Sequence, residues 1–281
     1  MGGSQINNEH KDRLFAFIFG NEKNRAWTLN LYNAVNGTDY SNEGDIEINT
    51  MRDTVYMGMK NDVSFILGST VNVYEQQSTF NPNMPVRQLM YTARLYDKYI
   101  HVHKLNIYGK KLIQIPVPKL ITFYNGTDEL EDEKVLLLSS MFPKDVVAMD
   151  SDLDVRVRMI NINYGRSEKL LKSCKPLFEY SWFVSAVRSN KNRMELAEAV
   201  DKAIDNMPSE FAIKSFLEEN RTEVRNMCIT EYNEEETMQL FREEAREEER
   251  RSIFHALVKD GVLTPQEAER RSGIPAKEFV D

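Results

Sequence analysis

Asp62 and Glu75 stand at the two ends of the segment D-V-S-F-I-L-G-S-T-V-N-V-Y-E. Two β-branched and aromatic runs are separated by Gly68-Ser69, a pair suited to a two-residue type II′ hairpin turn. That turn sets the register. Leu67 then pairs with Thr70, Ile66 with Val71, and so outward until Asp62 faces Glu75, with Cβ atoms roughly 4.5–5.5 Å apart on one face of the hairpin.

Like charges opposite one another destabilise a sheet, so a cation between them is the chemistry this spacing suggests, and a divalent metal ion is the obvious candidate. Gln77 follows Glu75 by two residues. If the strand continues, the period of two brings Gln77 to the carboxylate face, so Asp62, Glu75 and Gln77 point at one spot. Two solvated acids at the ends of an edge hairpin are the competing reading of the same spacing.

The run Y-E-Q-Q-S-T-F-N-P-N-M-P-V-R-Q-L-M-Y, from Tyr74 to Tyr91, carries more information than the hairpin alone. With Asp62 it resembles the D…ExQ(S)…MPxRxLxY pattern of the PD-(D/E)XK nuclease family transposases, also called recombination-promoting nucleases. The resemblance extends upstream through Lys11-Asp12-Arg13-Leu14-Phe15, Ile18-Phe19-Gly20-Asn21-Glu22 and Leu31-Tyr32-Asn33-Ala34-Val35-Asn36-Gly37. Downstream it runs through Pro118-Lys119-Leu120-Ile121-Thr122-Phe123-Tyr124-Asn125-Gly126, covering most of residues 11 to 165.

The resemblance implies a restriction-endonuclease-like α/β core and a Mg²⁺-dependent DNA endonuclease of bacterial mobile elements or genome maintenance. Asp62 corresponds to the family aspartate, Glu75 to the acidic residue of (D/E)XK, and Gln77 stands where lysine is usual. Glutamine hydrogen-bonds but brings no positive charge to a phosphate. Lys60, two residues before Asp62, and Arg87 are candidates to offset developing negative charge. For Arg87 a helix-surface or capping role is an equal alternative. The superfamily often takes a further carboxylate from its first helix, which makes Asp12 and Glu22 candidates. Both also read as helix-start residues, Asp12 as an N-cap before R-L-F-A-F-I-F and Glu22 in a first turn after Gly20.

The elements that must position these residues follow from periodicity. A mixed sheet flanked by helices is expected, with strands at 45–48, 54–59, 63–67, 71–74, 112–115, 120–124 and 155–162. A helix from Met84 onward should lay an apolar stripe of Val86, Met90, Ala93, Tyr96 or Asp97, and Ile100 on the hairpin's sheet. From Arg166 the pattern is helical, with Leu170, Leu171, Leu177, Phe178, Trp182, Phe183 and Val187 facing a core. Leu196–Ile204 continues it, and Pro208-Ser209 breaks it. Thr264-Pro265 opens a last helical pair. The domains expected are a nuclease-like core over 1–165 and a helical C-terminal region over 166–281.

At 281 residues with 41% hydrophobic content the chain can bury a full core. No apolar run approaches the ~18 residues of a membrane span, and the N-terminus reads as neither signal nor anchor. With only Cys174 and Cys228, far apart and without metal-ligand spacing, reduced thiols and a cytoplasmic location are expected. The formal charge of −8 is concentrated in residues 231–249, whose nine Glu and two Arg sum to −7 and leave the rest at −1. That tail reads as a solvated helix or as a protein-interaction or autoinhibitory element. Basic clusters at Lys104, Lys110, Lys111 and Lys119, at Arg156 and Arg158, and at Arg166, Lys169, Lys172 and Lys175 permit a DNA footprint.

His101 and His103 lack a third ligand and read as surface residues. Asp150-Ser151-Asp152-Leu153-Asp154 fails as a calcium loop, because Val155 occupies the glycine position. Two rival readings stand beside the nuclease. One is a non-catalytic DNA- or protein-binding module on the same fold. The other is a helical scaffold whose acidic tail recruits a partner. Cutting both strands of a duplex would favour a homodimer on symmetry grounds.

Overall fold

The computed structural model describes residues 13–48, 62–143 and 151–279. The strand expected at 54–59 lies outside these residues, as do Asp12 and Lys60. Two compact units divide the chain after Glu231.

In the first unit, strands β1 (Ile46–Ile48), β2 (Val63–Leu67), β3 (Thr70–Gln77), β4 (Val117–Tyr124), β5 (Glu133–Leu137) and β6 (Arg156–Asn161) form a six-stranded sheet in the order β1-β2-β3-β4-β6-β5. The β3–β4 and β4–β6 pairs are parallel and the others antiparallel. A mixed sheet flanked by helices is therefore observed. Gly68 takes φ +56° while Ser69 stays negative, the sign pattern of a type II′ turn. The register Leu67↔Thr70 through Val63↔Tyr74 is the one the turn demands.

Alternation assigns the faces. Val71 and Val73 pack with Tyr91 and Leu95 of α3 (Met84–Val102), and Tyr124, Val157 and Met159 pack with Met84. The opposite face carries Tyr74 and Phe123, which meet each other and join Phe15 of α1 (Leu14–Phe19). Tyr180 of α5 (Lys175–Lys191) meets Phe15 edge-on, so α5 belongs to the same unit as the sheet. The same unit holds α2 (Arg25–Asn36), α4 (Glu168–Ser173), α6 (Leu196–Asp205) and α7 (Lys214–Glu219).

Three expectations require correction. The buried stripe of α3 is Met84, Gln88, Tyr91, Thr92 and Leu95, whereas Met90 is 45% exposed and Ala93 and Asp97 face solvent. The cause is polar. Gln88 is buried because its amide donates to Ile121 O and Thr122 Oγ1 on β4, so the inward face does not read as apolar. Residues 112–115 are not a strand, since Leu112 is 90% exposed and pairing begins at Val117 opposite Thr70. On α5, Phe178 and Trp182 are only half-buried, while Tyr180 and the helix-preceding Cys174 are fully buried.

Close approach explains one glycine. A Cβ on buried Gly126 would run into the Ser78 carbonyl oxygen and the Tyr124 hydroxyl. Gly126→Ala is expected to lower unfolding free energy by about 1–3 kcal/mol in urea titration. An unchanged urea midpoint would remove the close-approach argument.

The second unit contains the last part of α8 (Arg221–Lys259) and α9 (Pro265–Ser272). Thr264 and Glu267 form a reciprocal capping box, Pro265 occupies the first turn and Gly273 ends the helix at φ +76°. His255 meets Phe279 at 5.2 Å, and Arg251 lies 3.7 Å from Glu278. Among the described residues no helix is long and apolar enough to cross a membrane. Cys174 and Cys228 are free and buried.

Candidate active site

The hairpin register carried one step beyond Val63↔Tyr74 brings Asp62 against Glu75, and the two residues touch. The Asp62 amide donates to Glu75 Oε2 at 3.4 Å, and the Gln76 amide donates to Asp62 Oδ2 at 2.6 Å. Glu75 is 3% exposed and the Asp62 side chain 12%. The two acids thus meet at a covered end of the hairpin, whose strands are interior to the sheet, and the reading as solvated acids on an edge hairpin does not hold.

Helix α3 closes the site from above. Arg87 Nη2 donates to Glu75 Oε1 at 2.6 Å and to the Tyr91 hydroxyl at 3.1 Å, so Tyr91, one turn further along the helix, holds the guanidinium that meets the carboxylate. Asn83 is the N-cap residue and Pro85 occupies the first turn; proline there already has the helical φ. Arg87 is therefore an ion-pair partner of Glu75, with its side chain one-third exposed.

Burial and the adjacent Asp62 carboxylate push the Glu75 carboxyl up to about 8, against the opposing pull of Arg87, Arg13 and the Asp62 amide. Even with a guanidinium at 2.6 Å, the buried acid takes up a proton more readily than a free glutamate.

Gln77 shares Glu75's face, as its spacing requires. Its Nε2 donates to Met84 Sδ at 2.7 Å, while its buried Oε1 has no hydrogen-bond partner among the described residues. Two carboxylates and an amide oxygen are hard oxygen donors, the type a small divalent cation takes. Asp62 and Glu75 would hold it, with Gln77 Oε1 as a neutral third oxygen. Among the described residues, no cluster of three or more His, Cys, Asp or Glu suited to a metal occurs.

Glu22 does not join the pair. It begins a 3₁₀ turn capped by Asn21, is 59% exposed and pairs with Arg25. Asp12 and Lys60 fall outside the described residues. Helix α1 has Arg13 at its N-cap, and the Leu14 amide donates to Glu231 Oε1 at 2.7 Å.

The structure adds residues to which the sequence assigned no role. Arg13 Nη1 donates to Gln76 O at 2.8 Å, with its Nε 4.0 Å from Asp62 Oδ1. Beneath the site, Gln76 Nε2 donates to Asn125 Oδ1, and Asn125 Nδ2 donates to the Tyr180 hydroxyl. Arg13 lay within R-L-F, Tyr91 four residues after Arg87, and Asn125 within T-F-Y-N-G. Only the Arg87–Tyr91 spacing held a signal that helical geometry could have turned into a contact. The chain matches no protein-family model, no curated protein and no solved structure.

Proposed function

We propose that this protein is a divalent-metal-dependent DNA endonuclease with a recombination- or transposase-like role in a bacterial mobile element or in genome maintenance. The observation that carries the reading is the contact of Asp62 and Glu75 on one hairpin, with a buried Gln77 oxygen on the same face that has no hydrogen-bond partner among the described residues. A bound Mg²⁺ would supply Lewis-acid polarisation of a phosphate oxygen and a water of lowered pKa.

The chain's own groups divide the remaining work. Asp62 is held in place by the Gln76 amide, Glu75 is aimed by Arg87, and Gln77 offers a hydrogen-bonding amide where a lysine would offer charge. Arg87, one-third exposed, is the cation available to offset charge on the phosphate, in the role usually given to that lysine. Arg87→Ala is expected to lower the cleavage rate roughly a hundredfold, the scale of losing one preorganised donor. Cleavage at the wild-type rate by a folded Arg87→Ala protein would remove Arg87 from the chemistry.

The deciding experiment is incubation of supercoiled plasmid with purified protein and Mg²⁺ beside an EDTA control. Nicking or linearisation only with the metal supports the reading. The direct Arg87–Glu75 ion pair favours a second reading, a DNA-binding module on this fold in which the guanidinium fills the cation's place. Duplex binding without cleavage under Mg²⁺ or Mn²⁺ would select it.

A further inference from the structure

We infer that the loop following α3, residues 103–116, is a DNA-backbone arm that grips duplex phosphates at a distance from the Asp62–Glu75 pair. The inference deepens the nuclease reading and rests on it. Between Lys98 and Thr127 the chain has five lysines, two histidines and no acidic residue. Lys104, Lys110 and Lys111 are exposed, and among the described residues none of them forms an ion pair. Such a run of uncompensated cations is what counterion release from a phosphate backbone requires.

The loop is presented rather than loose. Leu105 N donates to Ile100 O, Tyr96 Oη donates to Pro116 O, and Val117 N donates to Ser69 O, so both ends are tied to the body. Between them Tyr108 N and Gly109 N donate to Asn106, forming a turn that leaves Tyr108 92% exposed, with Ile107 at 53% and Leu112 at 90%. A tyrosine and two aliphatic residues are thus held in water among the lysines. Phosphate contacts from the lysines, with the aromatic ring against sugar or base edges, give them a partner of complementary charge.

Position sets the scale. Helix α3 carries Arg87 in its first turns and the loop at its far end, sixteen residues on. At ~1.5 Å per residue the arm lies roughly 24 Å from the carboxylates. That span is about seven base pairs at ~3.4 Å each.

The test compares the full-length protein with two full-length variants, Lys104→Gln/Lys110→Gln/Lys111→Gln and Tyr108→Ala. Binding to a labelled duplex of about 30 base pairs is measured in EDTA, from roughly 50 to 200 mM salt. EDTA separates binding from cleavage. The triple variant is expected to bind at least about tenfold more weakly, with a slope of log K against log salt shallower by about two to three units. Its thermal midpoint should be unchanged, because the three side chains are exposed. Tyr108→Ala should weaken binding at every salt concentration without changing the slope.

Equal affinity and slope in the triple variant would overturn the arm even if the enzyme cuts DNA, as would failure of the wild type to bind duplex. Loop-dependent binding to phosphatidylserine vesicles with unaltered DNA binding would overturn it in favour of a membrane surface. If plasmid is never cut but the triple variant loses duplex binding, the arm stands and the catalytic reading falls.

Discussion

Asp62→Ala and Glu75→Ala are each expected to reduce Mg²⁺-dependent plasmid cleavage by more than about a hundredfold, the scale of losing a group that stabilises developing charge. The two losses should not multiply. Both residues serve one cation, so the double variant should be little worse than either single one. The measurement is the initial rate of supercoiled plasmid loss at saturating Mg²⁺, with thermal unfolding to certify that each variant is folded. Glu75→Ala also leaves the Arg87 guanidinium without its carboxylate, so Glu75→Gln is the companion that keeps shape and a hydrogen-bond acceptor. Retention of cleavage by a folded Asp62→Ala protein would show that Asp62 is structural and would remove it from the chemistry.

The second large effect concerns pH. Glu75 is raised to about 8, chiefly by burial and then by Asp62, so the folded state holds this proton more tightly than the unfolded chain. The resulting stability is fully present below the ordinary glutamate range and is lost as pH climbs through about 8. In EDTA, unfolding free energy is expected to fall by on the order of 4 kcal/mol from about pH 5 to about pH 9.

A divalent cation reverses the trend. It binds the ionised carboxylate, so stabilisation by Mg²⁺ should grow with pH and be accompanied by proton release. Urea titrations across pH, with and without Mg²⁺, read both effects. Glu75→Gln should flatten the EDTA profile. A wild-type profile identical to that of Glu75→Gln would mean that Glu75 is ionised in the metal-free fold, and the linkage would be absent.

The legibility of the site has a local cause. The Asp62–Glu75 contact was written in fourteen consecutive residues, because a two-residue turn and a period of two leave the chain one register. The same logic placed Gln77 on the carboxylate face. Helix boundaries with chemical punctuation were equally readable, as at Thr264-Pro265. The edge strand β5 was not. Its sequence E-K-V-L-L begins with charged, exposed residues and pairs on one side only, so it lacks the alternation that marks a half-buried strand.

The inward face of α3 was misjudged for a related reason. Periodicity counts apolar residues, but Gln88 is drawn inward by a carbonyl and a hydroxyl on β4, more than thirty residues away. No local pattern contains that partner. Residues 112–115 erred in the opposite sense, being apolar in sequence yet without a neighbouring strand to pair with.

By itself, then, the sequence determined the hairpin, its register, the adjacency of Asp62 and Glu75, the mixed sheet with flanking helices and the concentration of negative charge in 231–249. Each follows from interactions between residues near in the chain or from composition alone. Only the tertiary structure decided that Arg87 and Tyr91 close over Glu75, that Arg13 reaches Asp62 and Gln76, and that Asn125 and Tyr180 brace the strand from beneath. It also decided that Glu75 is buried deeply enough to hold a proton near neutrality. These depend on which distant segments pack together and how much water they exclude, quantities set by the assembled fold rather than by spacing along the chain.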